Sequence, residues 1–180
     1  MMTVTHMMLL RPPAYQEYLE TKNMLAWARI LVILLGLVYG VLGIAANYSF
    51  IMGFDSPLLQ NVIAPLLFLV FGMVTVWITR IGLGLLLWAG AKAFGGPGKL
   101  IEVSRFSAVA IVPGVLGFPL LTGAVYGWPA YILSAVGLVW MFLLCTHILQ
   151  VTQPFSRLMA AGASAAAFIF FGSILYMFIP

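Results

Sequence analysis

Residues 62–94, VIAPLLFLVFGMVTVWITRIGLGLLLWAGAKAF, decide the fold. A membrane-crossing helix needs about 20 largely apolar residues. This run exceeds that length and is too oily for a soluble core helix, so it must tilt or protrude from the bilayer. Arg80 sits inside it. A charge at the centre of a bilayer costs about 3 kcal/mol or more, and it persists only if it snorkels to a headgroup, pairs inside a bundle or lines a polar path. At about 1.5 Å per residue, counting back from Lys92 and Phe94 puts Arg80 about 18–20 Å from the inner boundary, near mid-membrane. Its default reading is a structural arginine satisfied by backbone carbonyls freed near Pro113. A substrate site and a lipid-headgroup contact are the alternatives.

The rest of the chain agrees with a lipid environment. It has 180 residues, 64% hydrophobic and 7% charged, with a mean hydropathy of +1.15. Soluble domains carry about 25% charged residues, so this chain could not cover a water-facing surface. The net charge of +4 is small and its basic residues are scattered, which argues against nucleic acid as a partner. The single cysteine, Cys145, lies in an apolar run and cannot form an internal disulfide. No cleavable signal peptide is expected, because Arg11, Pro12 and Pro13 follow the Met-rich start.

Five runs are expected to be transmembrane helices: Met24–Ala46, Val62–Phe94, Phe106–Leu121, Pro129–Gln150 and Met159–Pro180. The third is short and broken by Pro113, Gly114, Gly117 and Pro119. Arg11, Lys22 and Arg29 precede or open the first run; Lys92, Lys99 and Arg105 flank the second connection; Arg157 precedes the fifth run. The other connections carry Asp55 alone as a charge. Basic loops favour the cytoplasmic side, and these fall on one side only with five crossings. The N-terminus is therefore placed inside and the C-terminus outside, in a prokaryotic inner (plasma) membrane. Tyr48, Phe50, Tyr126, Trp128 and Tyr131 suit the outer interface, Trp27 and Trp88 the inner one, while Trp77 and Trp140 are read as packing residues.

The expected fold class is all-α: a polytopic integral membrane helical bundle, with residues 1–23 as a cytoplasmic leader and 24–180 as a five-helix transmembrane domain. In the leader, Tyr15, Tyr18 and Leu19 oppose Gln16, Glu17 and Glu20, the pattern of a short amphipathic helix lying on the membrane surface. In lipid, helices associate by close packing rather than by exclusion of water. Gly36 and Gly40 make a small-xxx-small pair, and Gly162, Ser164 and Ala166 belong to a narrow segment that a neighbouring helix or a second copy could approach. Pro113 and Pro119 free carbonyls that need partners in the bundle. With Arg80 they are the candidate intramembrane polar site.

No catalytic, cofactor or metal site is expected. The four acidic residues sit in or beside loops and form no acid–base pair. His6, His147 and Cys145 cannot build a closed zinc site, and Cys145 and His147 lie two apart, wrong for one helix face. Ser104, Ser107 and Ser134 lack a base. His147 reads as an interfacial histidine. The Gly95-Gly96-Pro97-Gly98-Lys99 turn fails as a phosphate loop, because Ala93 stands where a glycine is needed and Leu100 where Ser or Thr is needed. Gly95, Gly96, Lys99, Glu102 and Arg105 are read instead as a tight turn near anionic headgroups.

That turn carries a resemblance. Arg80 to Ala93, then Phe94-Gly95-Gly96-Pro97-Gly98-Lys99-Leu100-Ile101-Glu102-Val103-Ser104-Arg105, then apolar residues to Pro113, resembles the core of the Ypt-interacting-protein (Yip) membrane domain. The leader Arg11-Pro12-Pro13-Ala14-Tyr15-Gln16-Glu17-Tyr18-Leu19 resembles that family's opening segment. The resemblance covers about Arg11 to Pro119. It implies five spans, a cytosolic N-terminus, an external C-terminus and no enzyme activity. Eukaryotic members bind small GTPases and partner membrane proteins in vesicle traffic. This chain lacks their long polar leader, so small-GTPase binding is doubtful, and it is similar to the compact prokaryotic branch. The expected partners are membrane lipids and other membrane proteins or a second copy. The expected function is non-enzymatic: organising membrane or scaffolding a membrane-protein complex. The alternative is a transporter or channel subunit with Arg80 in its path. A lipid-modifying enzyme would need a nucleophile or metal that the sequence does not offer.

Overall fold

The computed structural model describes residues 2–10, 14, 15, 17, 18 and 24–177, excepting the side chains of 2–4, 24, 25 and 174–177. Among them the chain is helical, without strands. In order come α1 (Met2–Met8), α2 (Met24–Ala46), α3 (Tyr48–Met52), a π turn (Leu59–Ile63), α4 (Ala64–Ala93), α5 (Leu100–Ala110), a 3-10 segment (Val112–Gly117), α6 (Phe118–Leu121), α7 (Trp128–Thr152) and α8 (Arg157–Met177).

Among the described residues, three stretches are long and apolar enough to cross a membrane: Ala26–Ala46, Leu59–Ala93 and Trp128–Thr152. A fourth arises if α5 and Val112–Leu121, bent by 42°, are one span. The fifth run of the sequence is helical in α8, whose apolar part over Arg157–Ser173 is shorter.

The boundaries follow local chemistry. Pro65 lacks an N–H, and the helix enters it through the π turn rather than a straight ladder. At the far end of α4 the Gly95 N–H donates to the Lys92 carbonyl (3.0 Å) and the Gly96 N–H to the Ala91 carbonyl (2.8 Å). Gly95 has φ +80°, the left-handed cap that glycine tolerates, and Pro97 then forbids continuation. The next helix starts at Leu100, earlier than the Phe106 expected from hydrophobicity. The Lys99 N–H donates to Glu102 Oε2 (3.1 Å), a cap formed by polar residues that a hydropathy count passes over. Pro113 then breaks the helix, and the chain tightens into 3-10 with Gly114 N–H on the Ile111 carbonyl (2.9 Å).

Packing uses small residues. A Cβ added to Gly36 would lie 2.6 Å from the Met73 Cα, and one on Gly40 would lie 2.8 Å from the Leu69 Cα. Gly72 completes the crossing, its added Cβ falling 2.5 Å from the Gly36 carbonyl. On α8 the buried residues are Ala160, Ala163, Ser164 and Ala167, and Gly162 faces the Phe94 ring. Ala166, expected in that stripe, is exposed. Helix neighbours recur every three or four residues, and Ala166 falls between two buried positions. Trp77, read as a packing residue, is 57% exposed on α4.

The largest departure concerns the leader. Met7, Ala14, Tyr15 and Tyr18 are buried against the bundle, while Thr5, Leu9 and Glu17 are exposed. Tyr15 is fully buried; its ring lies 5.9 Å from Phe106 of α5 and 5.1 Å from His147 of α7, and its hydroxyl donates to the Met7 carbonyl (3.1 Å). Tyr18 lies 5.5 Å from the same Phe106 ring, while Glu17 is exposed. Trp140, midway along α7, donates its indole N–H to the Met8 carbonyl (3.0 Å). The Tyr15 and Tyr18 rings help to bury Phe106 of α5. Gln16, Leu19, Glu20 and residues 11–13 lie outside the described residues.

Candidate functional site

Two groups of polar residues stand out against the apolar bundle. The first centres on Arg80. The buried stripe of α4 runs through Val76, Leu83, Leu87 and Ala91, and Arg80 lies on it, half-buried, one turn beyond Val76. The α2–α4 register is set by Gly36 against Met73 and Gly40 against Leu69. Carrying it two turns further brings Arg29 opposite Arg80. Tyr18 of the leader and Arg29 act electrostatically on Arg80. Burial raises the Tyr18 phenol above its ordinary value, and the Arg80 guanidinium pulls the other way. The hydroxyl therefore keeps its proton at neutral pH.

This register fixes the level of Arg80 along the bundle. Arg29 lies five residues past Met24, about 8 Å into α2 at 1.5 Å per residue. Arg80 shares that level, toward the end of the bundle at which α2 begins. The C-terminal part of α4 runs on beyond it.

Pro113 and Pro119 are not brought to Arg80. The Pro113 carbonyl faces Gly137 of α7, whose added Cβ would lie 2.6 Å from it. The Pro119 carbonyl accepts from the Val125 N–H (3.0 Å) in the turn after α6. Both carbonyls are engaged locally, and no described hydrogen bond joins either proline to Arg80.

The second group is the turn after α4. The Gly98 N–H donates to Gln153 Oε1 (2.8 Å), and Lys92 Nζ donates to the Pro97 carbonyl (3.2 Å). Gln153 is 4% exposed, and its Nε2 is buried without a hydrogen-bond partner, as is the Nε of Arg105. Phe155 closes over Gly96. The turn is thus fixed to the α7–α8 connection and presents Phe94, Lys99, Leu100 and Ile101 outward. Glu102 serves the helix cap. A Cβ on Gly98 would collide with the Gln153 amide.

Sequence reasoning named Arg80 and the turn glycines but missed Arg29 as the partner of Arg80, Gln153 as the brace and Gly72 as the third crossing glycine. Gly72, a lone glycine inside an apolar helix, was a usable signal. Gln153 was marked only by standing before Pro154 at a helix end. No group of three His, Cys, Asp or Glu side chains gathers among the described residues. Two grooves lined by described residues, of about 280 Å³ beside Tyr39 and Phe68 and about 220 Å³ beside Val32 and Trp77, do not include Arg80. Compared with protein-family models, curated proteins and solved structures, the chain has no significant match.

Proposed function

We propose that this chain is a non-enzymatic integral membrane protein of the Yip type, with five crossings, a cytoplasmic N-terminus and an external C-terminus. It organises a membrane-protein assembly in a prokaryotic inner membrane. The observation that carries this reading is the braced turn. A Gly-Gly-Pro-Gly loop left free would be mobile and costly to order on binding. Here Gln153, Lys92 and Phe155 hold it in one shape, with apolar Leu100 and Ile101 beside the exposed Lys99. A rigid apolar knob with a basic rim suits docking to another membrane protein at the cytoplasmic face, because its ordering cost is met within the fold.

A photocrosslinking residue at Ile101 in native membranes tests this. Discrete protein adducts are expected there, weakened by Gly98→Ala, which drives the turn off Gln153. If Ile101 gives no adducts beyond those of the lipid-facing position Leu133, the reading is wrong. A transporter subunit is the second reading, favoured by the paired arginines. It predicts that Arg80→Leu abolishes flux while the protein stays folded.

A further inference from the structure

We infer that the groove between α2, α4 and the turn after α6 holds the tail of an uncharged lipid whose head carries a hydroxyl group. The inference rests on the proposed membrane setting and not on the docking role of the turn after α4. The groove, of about 280 Å³, is lined by Tyr39 and Gly43 of α2, by Phe68 and Phe71 of α4, and by Asn47 and Thr122 just past the ends of α2 and α6. Gly43 has no side chain to fill it; an added Cβ would lie 3.1 Å from the Phe68 ring. The Phe118 ring stands edge-on to Tyr39 at 4.9 Å and steadies that wall. Phe71 is exposed, so the groove opens to the surroundings of the bundle.

The two ends of the groove differ. From Tyr39 to Asn47 the chain climbs about 12 Å at 1.5 Å per residue. Along that length the lining is largely apolar. Left empty, it would forfeit dispersion contacts, and water there would find too few partners. In a bilayer a hydrocarbon chain fills such a space. At the Asn47 end two hydrogen-bonding side chains meet it. Asn47 Nδ2 donates to the Gly43 carbonyl (2.9 Å), and Thr122 Oγ1 donates to the Phe118 carbonyl (2.8 Å). The Thr122 hydroxyl has thereby used its hydrogen, and both side-chain oxygens remain as acceptors. A hydroxyl head donates to them. An ester or phosphate head brings acceptors instead, which meet only the second Asn47 N–H. Charge agrees: residues 47–61 and 121–128 hold Asp55 and no Lys or Arg, so an anionic head would find no cation in these connections. The groove of about 220 Å³ beside Val32 and Trp77 has no hydroxyl or amide side chain in its lining, so it has no means of choosing among heads.

The test places the full chain in phosphatidylcholine nanodiscs with a diacylglycerol bearing a photoreactive diazirine in one tail. Phosphatidylcholine and phosphatidylglycerol with the same tail, at the same mole fraction, are the comparisons, and adducts are mapped by peptide mass spectrometry. Residues 68–72 should be labelled about fivefold more by the diacylglycerol, the effect of one added hydrogen bond, while residues 74–77 at the second groove should take every tail alike. Asn47→Ala and Thr122→Val should each pull that preference toward one. Gly43→Leu fills the groove and should remove the labelling of 68–72. Unchanged labelling of 74–77 identifies the variants that are folded, and Thr122→Val, in a half-buried turn, carries the test if Asn47→Ala is not among them. Equal labelling of 68–72 by the three probes overturns the inference, as does a preference there for phosphatidylglycerol or one that survives Thr122→Val and Asn47→Ala. Labelling of neither groove by any tail overturns the membrane setting itself, and the inference with it.

Discussion

At the scale of single residues, the molecule rests on a few close approaches that tolerate no added atoms. Gly72→Ala would push a methyl against the Gly36 carbonyl and the Gly40 backbone. We expect a loss of about 1–3 kcal/mol, the usual cost of overpacking, read as a lowered midpoint of thermal unfolding in detergent. Ala166→Leu, on an exposed position of α8, should leave that midpoint unchanged. Gln153→Ala removes the acceptor for the Gly98 N–H and should cost about 1–3 kcal/mol, with faster amide exchange confined to residues 96–100. Arg80 was legible as an anomaly because one charge in an apolar run is conspicuous. Its surroundings were not, since a register between two helices is set by which glycines meet, and the sequence does not say that.

Among elements, the leader is the part that hydrophobicity describes least well. Its tyrosines read as one face of a surface helix, yet their rings pack on Phe106 of α5. That contact joins separate elements, so no window of sequence contains it. The three straight spans were legible because each is a continuous apolar run bounded by polar or Pro and Gly residues. The start of α5 was not, because its cap is made by Lys99 and Glu102 rather than by apolar spacing.

Docking of the leader gives two expectations. Cys145 is fully buried and close enough to Tyr15 to act on it electrostatically. Tyr15→Ala should therefore speed maleimide labelling of this native thiol, and an unchanged rate would show that the leader does not guard it. Burial also raises the phenols of Tyr15 and Tyr18 above the ordinary 10.0. A group whose folded pKa is raised stabilises the fold below its ordinary value and loses that contribution as pH climbs. Leader protection in hydrogen exchange should thus hold at neutral pH and fade above about pH 10.

For the whole molecule, the proposed topology rests on the arrangement of basic residues. Lys92 and Lys99 share one end of the bundle with the Gln153 turn, and Arg157 follows that turn directly. Reporter fusions at the two termini should fall on opposite sides, with an odd number of crossings; a common side would contradict the proposed five.

The overhang of α4 has a mechanical consequence. The Leu59–Ala93 rod spans 35 residues, about 52 Å, beside a 21-residue α2 span of about 32 Å. The register places Met24 near Leu85, so most of the excess protrudes at one end. A bilayer is an elastic sheet that must meet oily walls of unequal height around one particle, thickening along one flank and thinning along the other. In the proposed membrane setting such a particle would act as a wedge, and the cheapest place for a wedge is where the sheet already changes thickness or bends.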